Sequence, residues 1–389
     1  MKTARFFGIV AAVALLATAC GDDKSSGGEA LKSIGEGEKA LNLVVWAGYA
    51  EDGSTYPEFD WVHPFEQQTG CVVKSKVAAT SDEMFQLMQS GGYDGVSASG
   101  DSSVRLIDAG LVAPVNTSLI KNYADISSFL KDQRYNTSDG KNYGIPHGWG
   151  ANYLMWNPAV VTTAPDSWGV VFDKSSPYSG KVTAYDAPIY IADAALYLKS
   201  AQPDLGIEDP YSLNQKQFDA AVALLKDQHS IIGEYWNDYT KTQSAFEQGS
   251  TVLGTTWQVI YNLATLNGAT LQTVIPKEGS TGWSDTWMVS SKADHPNCMY
   301  MWMDYITSPA VQAQVAYYFG EAPANPKACD EIAKQYEDAT HCDVFKATDE
   351  AFAKSIAFWA TPRKDCLNGK GSDCVPFSDW IKAWTEIKG

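Results

Sequence analysis

The sequence predicts an α/β protein of two lobes. Length is the first reason. With an N-terminal export segment and a polar tether set aside, about 350 of the 389 residues remain, more than one ordinary core holds. The second is the alternation of short apolar, strand-like runs with helix-like segments, which implies strands layered against helices. The third is a crossing and a return. Strand-like runs at 151–157 and 287–289 bracket a self-contained α/β stretch, as where a chain leaves one lobe and comes back.

The elements follow in order. Lys2 and Arg5 precede an apolar run from Phe6 to Leu16, and Ala17-Thr18-Ala19 leads to Cys20. Residues 1–19 therefore read as a signal peptide, too short for a spanning helix. Small residues ending on cysteine resemble the lipobox of bacterial lipoproteins, which implies lipid attachment at Cys20; Ala17 departs from the commoner leucine there. Residues 20–40 form a flexible tether, rich in Gly, Ser and charged residues. Leu41–Trp46 is a first strand, Val62–Gln68 a helix closed by Thr69-Gly70, and Cys71–Val73 a second strand. Thr80 and Glu83 have capping-box spacing and start the helix 82–90, with Met84, Leu87 and Met88 facing a core. A short strand at 93–96 and a helix at 102–109 stopped by Gly110 follow. Asp139-Gly140 is a turn before the first crossing at 151–157. The second lobe holds a strand at 181–185, helices at 191–200 and 215–227, and a strand at 251–257. The run 287–289 returns to the first lobe, and helical segments at 298–305 and 309–319 follow. The expected boundaries are 41–149 with 286–328 for lobe 1, and 150–285 with 329–389 for lobe 2.

Composition excludes some functions. Net charge is −17, and removing residues 1–19 takes away Lys2 and Arg5 and no acid, leaving −19. Nucleic acid is not an expected partner, because phosphate binding needs basic surface. Only Arg105, Arg134 and Arg363 remain after cleavage, which argues against an anionic ligand. Cys20 aside, six cysteines outside the cytoplasm suggest disulfides, for which fifteen pairings exist. Cys329/Cys342 and Cys366/Cys374 are close pairs; bonding them locally leaves Cys71 with Cys298. No CxxC or HExxH spacing marks a metal site, and neither metal nor cofactor is expected. Tyr317-Tyr318 could serve a ferric ion, but adjacent tyrosines on a helix more often pack. The run 95–99 departs from a nucleophile elbow, having Ser99 where the second glycine belongs.

The informative signal is distributed. Aromatics stand beside acids at several loop positions: Trp46 with Tyr49, Tyr185 with Asp186, Trp283 with Asp285. Ser99-Gly100-Asp101 and Gly320-Glu321 add acids at glycine turns. Carboxylates with aromatic faces suit an organic ammonium, through charged hydrogen bonds and cation–π contact. Each pair alone is also an ordinary surface turn.

The order of these pieces resembles the spermidine/putrescine-binding proteins of ABC transporters. The resemblance runs from Leu41 nearly to the end of the chain, through the runs 46–49, 65–70, 93–99, 110–115, 143–150, 276–279 and 320–325. It implies a type II periplasmic-binding-protein-like fold whose cleft between the lobes closes on a ligand by hinge motion. It also implies roles. Trp46, Trp257 and Trp283 pack the ligand's methylenes, and Ser99 makes a polar contact. Asp186 and Asp285 hold one ammonium, and Asp101 or Glu321 the other; Tyr49 completes the set. The sequence departs from the family at Gly48 and Ile189, where acids are usual, and at Glu321, where tyrosine is usual; Asp101 is offset by one residue. The implied function is capture of a di- or polyamine by a lipid-anchored monomer, outside the cell membrane, for delivery to an ABC permease. Two alternatives stand: another solute in the same fold (γ-aminobutyrate or another amino acid through Arg105, a sugar, a ferric complex), or an exported hydrolase using Ser99 and His147.

Overall fold

The computed structural model describes residues 28–367, 371 and 373–389. The expected signal peptide, Cys20 and the first part of the tether lie outside these residues.

In the first lobe, strand β1 (Ala40–Val45) leads through helix α1 (Val62–Thr69) to β2 (Val72–Val77), parallel to it. Helix α1 ends at Gly70, whose φ of 73° supplies the left-handed turn that stops a helix. Helix α2 (Ser81–Ser90) starts at Thr80, whose hydroxyl accepts the Glu83 N–H. The Glu83 carboxylate reaches the N–H of Ala79 rather than that of Thr80, a capping box displaced by one residue. Strand β3 (Gly95–Ala98) pairs with the other side of β1 and runs into helix α3 (Gly100–Asp108).

The long strand β4 (Ile145–Trp156) is buried along nearly its whole length. The second lobe follows with β5 (Val182–Tyr185), α4 (Ile191–Ala201), α5 (Gln215–His229), β6 (Ile232–Trp236), α6 (Tyr239–Gln248) and β7 (Leu253–Trp257). Strand β8 (Ser280–Ser290) returns, antiparallel to β4. The sheet order is β2-β1-β3-β8-β4-β7-β5-β6, so β4 and β8 are shared by both lobes. Their side chains divide accordingly. Ile145, Trp149 and Trp287 enter the first core, and Leu154, Met155 and Trp283 the second.

Helices α7 (Pro296–Ile306), α8 (Pro309–Phe319) and α9 (Ala328–Tyr336) belong to the first lobe. This corrects the expected lobe 2 boundary at residue 329. Ala328 and Ile332 pack on Ala313 and Ala316 of α8, and Phe345, Ala347 and Ala353 sit in the first core. Periodicity shows that α9 has an apolar face but not which lobe covers it. The chain crosses only at β9 (Ile356–Phe358), which runs parallel to the start of β8. Trp359 then enters the second core, as do Trp380 and Trp384 of α10 (Phe377–Lys388). Disulfides join Cys71 to Cys298, Cys329 to Cys342 and Cys366 to Cys374. Among the described residues, no helix is long and apolar enough to cross a membrane.

Candidate functional site

A cavity of about 300 Å³ lies between the lobes. Its walls are the residues that follow strand ends: Trp46 after β1, Val77 to Ala79 at the end of β2, and Ser99 after β3. From the other lobe come Tyr185 ending β5, Asn237 to Thr240 after β6, and Trp257 ending β7. The carboxyl ends of strands are where open α/β sheets leave a crevice. The crossing strand β8 supplies Trp283 and Asp285, two residues apart and so on one face. Ala47, Phe319 and Trp359 complete the lining.

The rings form an arc. Tyr185 stacks on Trp359 with centroids 5.4 Å apart, Trp257 meets Trp283 edge-on at 6.5 Å, and Trp283 meets Phe319 at 6.0 Å. The indole N–H groups of Trp46, Trp283 and Trp359 are buried with no hydrogen-bond partner among the described residues. The lining contains the acids Asp238 and Asp285 and neither Lys nor Arg.

Asp285 is the polar centre. The register of β8 on β4 slips beside it: Asp285 lies opposite Gly148 and Thr286 opposite Pro146. Such an irregularity re-aims a side chain locally. The Ser99 hydroxyl donates to Asp285 Oδ1 at 2.5 Å, and the Tyr49 hydroxyl to Oδ2 at 2.7 Å. Tyr49 also lies 3.1 Å from Glu321 Oε2. A phenol has one proton, so it serves one carboxylate, and the shorter bond goes to Asp285. With the phenol proton directed at Asp285, a protonated Glu321 would donate to the Tyr49 oxygen. Burial, reinforced by the charge of Asp285, pushes the Glu321 carboxyl well above its usual range, in agreement with this assignment. Burial also raises Asp285 to about 7, against the pull of the Ser99 and Tyr49 hydrogen bonds.

Glycines make the room. A Cβ on Gly148 would lie 2.2 Å from the Glu321 carboxyl carbon, and one on Gly150 2.7 Å from the Trp283 ring. The departure at Gly48 also has a backbone reason: its φ is +88°, and a Cβ would meet Phe319 at 3.1 Å. Ile189 is fully buried in the second core and takes no part in the cavity.

The structure thus brings Trp46, Ser99, Trp257, Trp283 and Asp285 together and places Tyr49 and Glu321 behind them. Asp101 and Asp186 do not line this cavity. They line a neighbouring one, where Asp101 accepts from Ser81 and Asp186 is ion-paired with Lys388. Asp186 is therefore not free to share an ammonium with Asp285, as the resemblance implied. Sequence reasoning missed Asp238, Phe319 and Trp359 as lining residues. Asp238 presents itself in sequence only as a helix N-cap, and it does cap α6 at Thr240.

The alternatives meet specific obstacles. Arg105 pairs with Asp82 at 2.6 Å and lies over the Phe85 and Phe377 rings, outside the cavity. His147 Nδ1 accepts from the Trp287 indole, its ring is wholly buried, and Ser99 donates to Asp285 instead. Tyr317 stacks on Tyr336 at 4.0 Å, and Tyr318 packs on Phe59. No group of three or more His, Cys, Asp or Glu suited to a metal occurs among the described residues.

Comparison with known proteins adds the family. A family described as bacterial extracellular solute-binding proteins matches residues 60–344. The chain is 22% identical over 302 residues to the spermidine/putrescine-binding periplasmic protein of Escherichia coli (strain K12), covering 74% of this chain and 82% of that one. The spermidine/putrescine ABC transporter substrate-binding protein of Streptococcus pneumoniae superposes with a TM-score of 0.67 at 19% identity, covering 90% and 99% of the two chains. The binding protein MotA of A. tumefaciens B6, solved with glucopine, superposes at 0.69 with 16% identity and coverage of 90% and 100%. At these identities the structural likeness shows a shared fold, that of type II periplasmic binding proteins.

Proposed function

The chain belongs to the bacterial extracellular solute-binding proteins, and we propose that it captures a di- or polyamine of the putrescine or spermidine kind for import. Its lipid on Cys20 would hold it at the outer face of the cell membrane, as a monomer without catalytic activity that hands its ligand to an ABC permease. The observation that carries the reading is Asp285: a buried carboxylate, oriented by Ser99 and Tyr49, at one side of an aromatic cavity whose lining holds no cation. An ammonium there receives a charge-assisted hydrogen bond and faces of electron-rich rings. Asp238, on the opposite lobe, is the partner for a second ammonium.

The magnitudes suffice. Micromolar affinity is about 8 kcal/mol. Two charged hydrogen bonds at roughly 1.5–3 kcal/mol each supply about half. Ring contacts at roughly 0.5–2 kcal/mol each and buried methylenes offset the remainder and the lost freedom of the ligand.

The test is isothermal titration of the oxidised mature chain with putrescine, spermidine and γ-aminobutyrate. Binding of an amine but not of the zwitterion, reduced at least tenfold in Asp285→Asn, is the expected result. Preference for γ-aminobutyrate, or unchanged amine affinity in the variant, would overturn the assignment.

A further inference from the structure

A second cavity of about 390 Å³ adjoins the first. Asn237 lines both, and the walls are neighbours in sequence: Ala79 faces one and Thr80 the other, Tyr185 one and Asp186 the other. Three acids line it, Asp82, Asp101 and Asp186. Arg105 neutralises Asp82, and Asp101 takes the Ser81 hydroxyl.

Asp186 is occupied in a particular way. The Lys388 ammonium lies 2.6 Å from both of its oxygens, and the Trp384 indole donates to Oδ1 at 3.1 Å. The same ammonium lies 5.7 Å from the centre of the Tyr235 ring. Carboxylate and aromatic ring together form a cation site, and the cation in it belongs to the chain. Trp384 and Lys388 stand four residues apart on one face of α10, which is fixed independently by the buried Trp380. The helix is thus held in place by buried aromatic side chains besides the Lys388 ion pair.

We infer that Lys388 is a tethered ammonium that fills a distal cation site of the cleft and thereby sets the length of amine the protein accepts. The inference rests on the amine reading above. A short diamine is served within the first cavity. A longer amine extending past Asn237 has to displace Lys388 from Asp186, and a tethered competitor acts at an effective concentration of order millimolar. Lys388 therefore selects against length rather than against charge.

The experiment compares putrescine and spermidine by titration against the mature chain and its variants. Lys388→Met keeps much of the stem and removes the charge; spermidine is expected to gain about tenfold or more relative to putrescine. Lys388→Arg, which restores a cation, is expected to keep the wild-type ratio. Adding Asp186→Asn to Lys388→Met is expected to abolish the gain. Putrescine binding in each variant reports that the fold and the first cavity are intact. An unchanged ratio in Lys388→Met, with putrescine still bound, overturns the inference and leaves the amine reading standing. Failure of the wild-type chain to bind either amine overturns both.

Discussion

Amine affinity should depend on pH through Asp285. Burial raises its carboxyl to about 7, and an ammonium beside it binds only the ionised form. Binding therefore expels a proton at acid pH, and affinity rises as pH rises. For a single group at about 7 the apparent affinity is nearly full at pH 8, about tenfold lower at pH 6 and about hundredfold lower at pH 5. Neighbouring groups set the window. Burial and the charge of Asp285 push Glu321 well above its usual range, while burial holds His147 near 3 and hence neutral throughout. Asp101, raised to about 6 by burial, adds its repulsion to Asp285 only once it ionises. The assay is calorimetric titration of putrescine between pH 5 and 8, repeated in two buffers of different ionisation enthalpy to count released protons. Roughly one proton should leave per amine bound at pH 6 and almost none at pH 8. Asp285→Asn should bind weakly with the Asp285-dependent slope removed. Equal wild-type affinity across the range, or tighter binding in acid, would refute the placement of the ammonium on Asp285.

Other predictions concern the scaffold. The apo protein should lose stability as pH rises from about 4 to 7, because Asp285 has its folded pKa raised and prefers to be neutral; thermal melts that improve across that interval would contradict it. Tyr49→Phe removes the hydroxyl that holds Asp285 ionised, so the midpoint of the pH–affinity curve should move upward, and an unmoved midpoint would separate Tyr49 from the site. Gly148→Ala should destabilise by about 1–3 kcal/mol in denaturant melts, since its methyl meets the Glu321 carboxyl, and Gly148→Ala with Glu321→Ala should recover part of the loss. Replacing Cys71 and Cys298 with serine opens a link across 227 residues, for which a loss of about 2–5 kcal/mol is expected; an unchanged melt would show the link to be redundant.

Much of the first lobe was legible because its signals are local. Gly70 stops α1 and Thr80 starts α2 where the sequence indicates, whereas the crossing strands were legible only in part: the runs 151–157 and 287–289 mark one end of β4 and of β8, and the polar and glycine residues of 145–150 and 280–286 hide the rest. Trp283 and Asp285 read in sequence as an aromatic and an acid at a loop; they share a face because both lie on strand β8, where alternate residues point the same way. The same alternation argues against Tyr185-Asp186 as a pair. If the ring faces the cavity, the carboxylate next to it faces elsewhere, and it does. What holds that carboxylate is Lys388, 202 residues away, and no spacing rule reaches so far. The same holds for α9: its apolar face is local information, and the lobe that covers it is not.

The charge of the site follows from counting protons rather than acids. Asp285 and Glu321 are two carboxyls joined through one phenol, and two buried negative charges at that separation would repel each other in a medium that screens poorly. Giving Glu321 a proton leaves a single negative charge, and the hydrogen-bond direction sends it to Asp285, the member that lines the cavity. In the proposed reading this pair thus presents one charge to one ammonium, and Asp238 lines the cavity from the other lobe. At Asp186 the same balance is met differently: the chain supplies the ammonium itself, through Lys388. An acidic protein can therefore select among cations, because the chain itself compensates some acids of its cleft, as Lys388 does Asp186 and Arg105 does Asp82, and leaves others to the ligand.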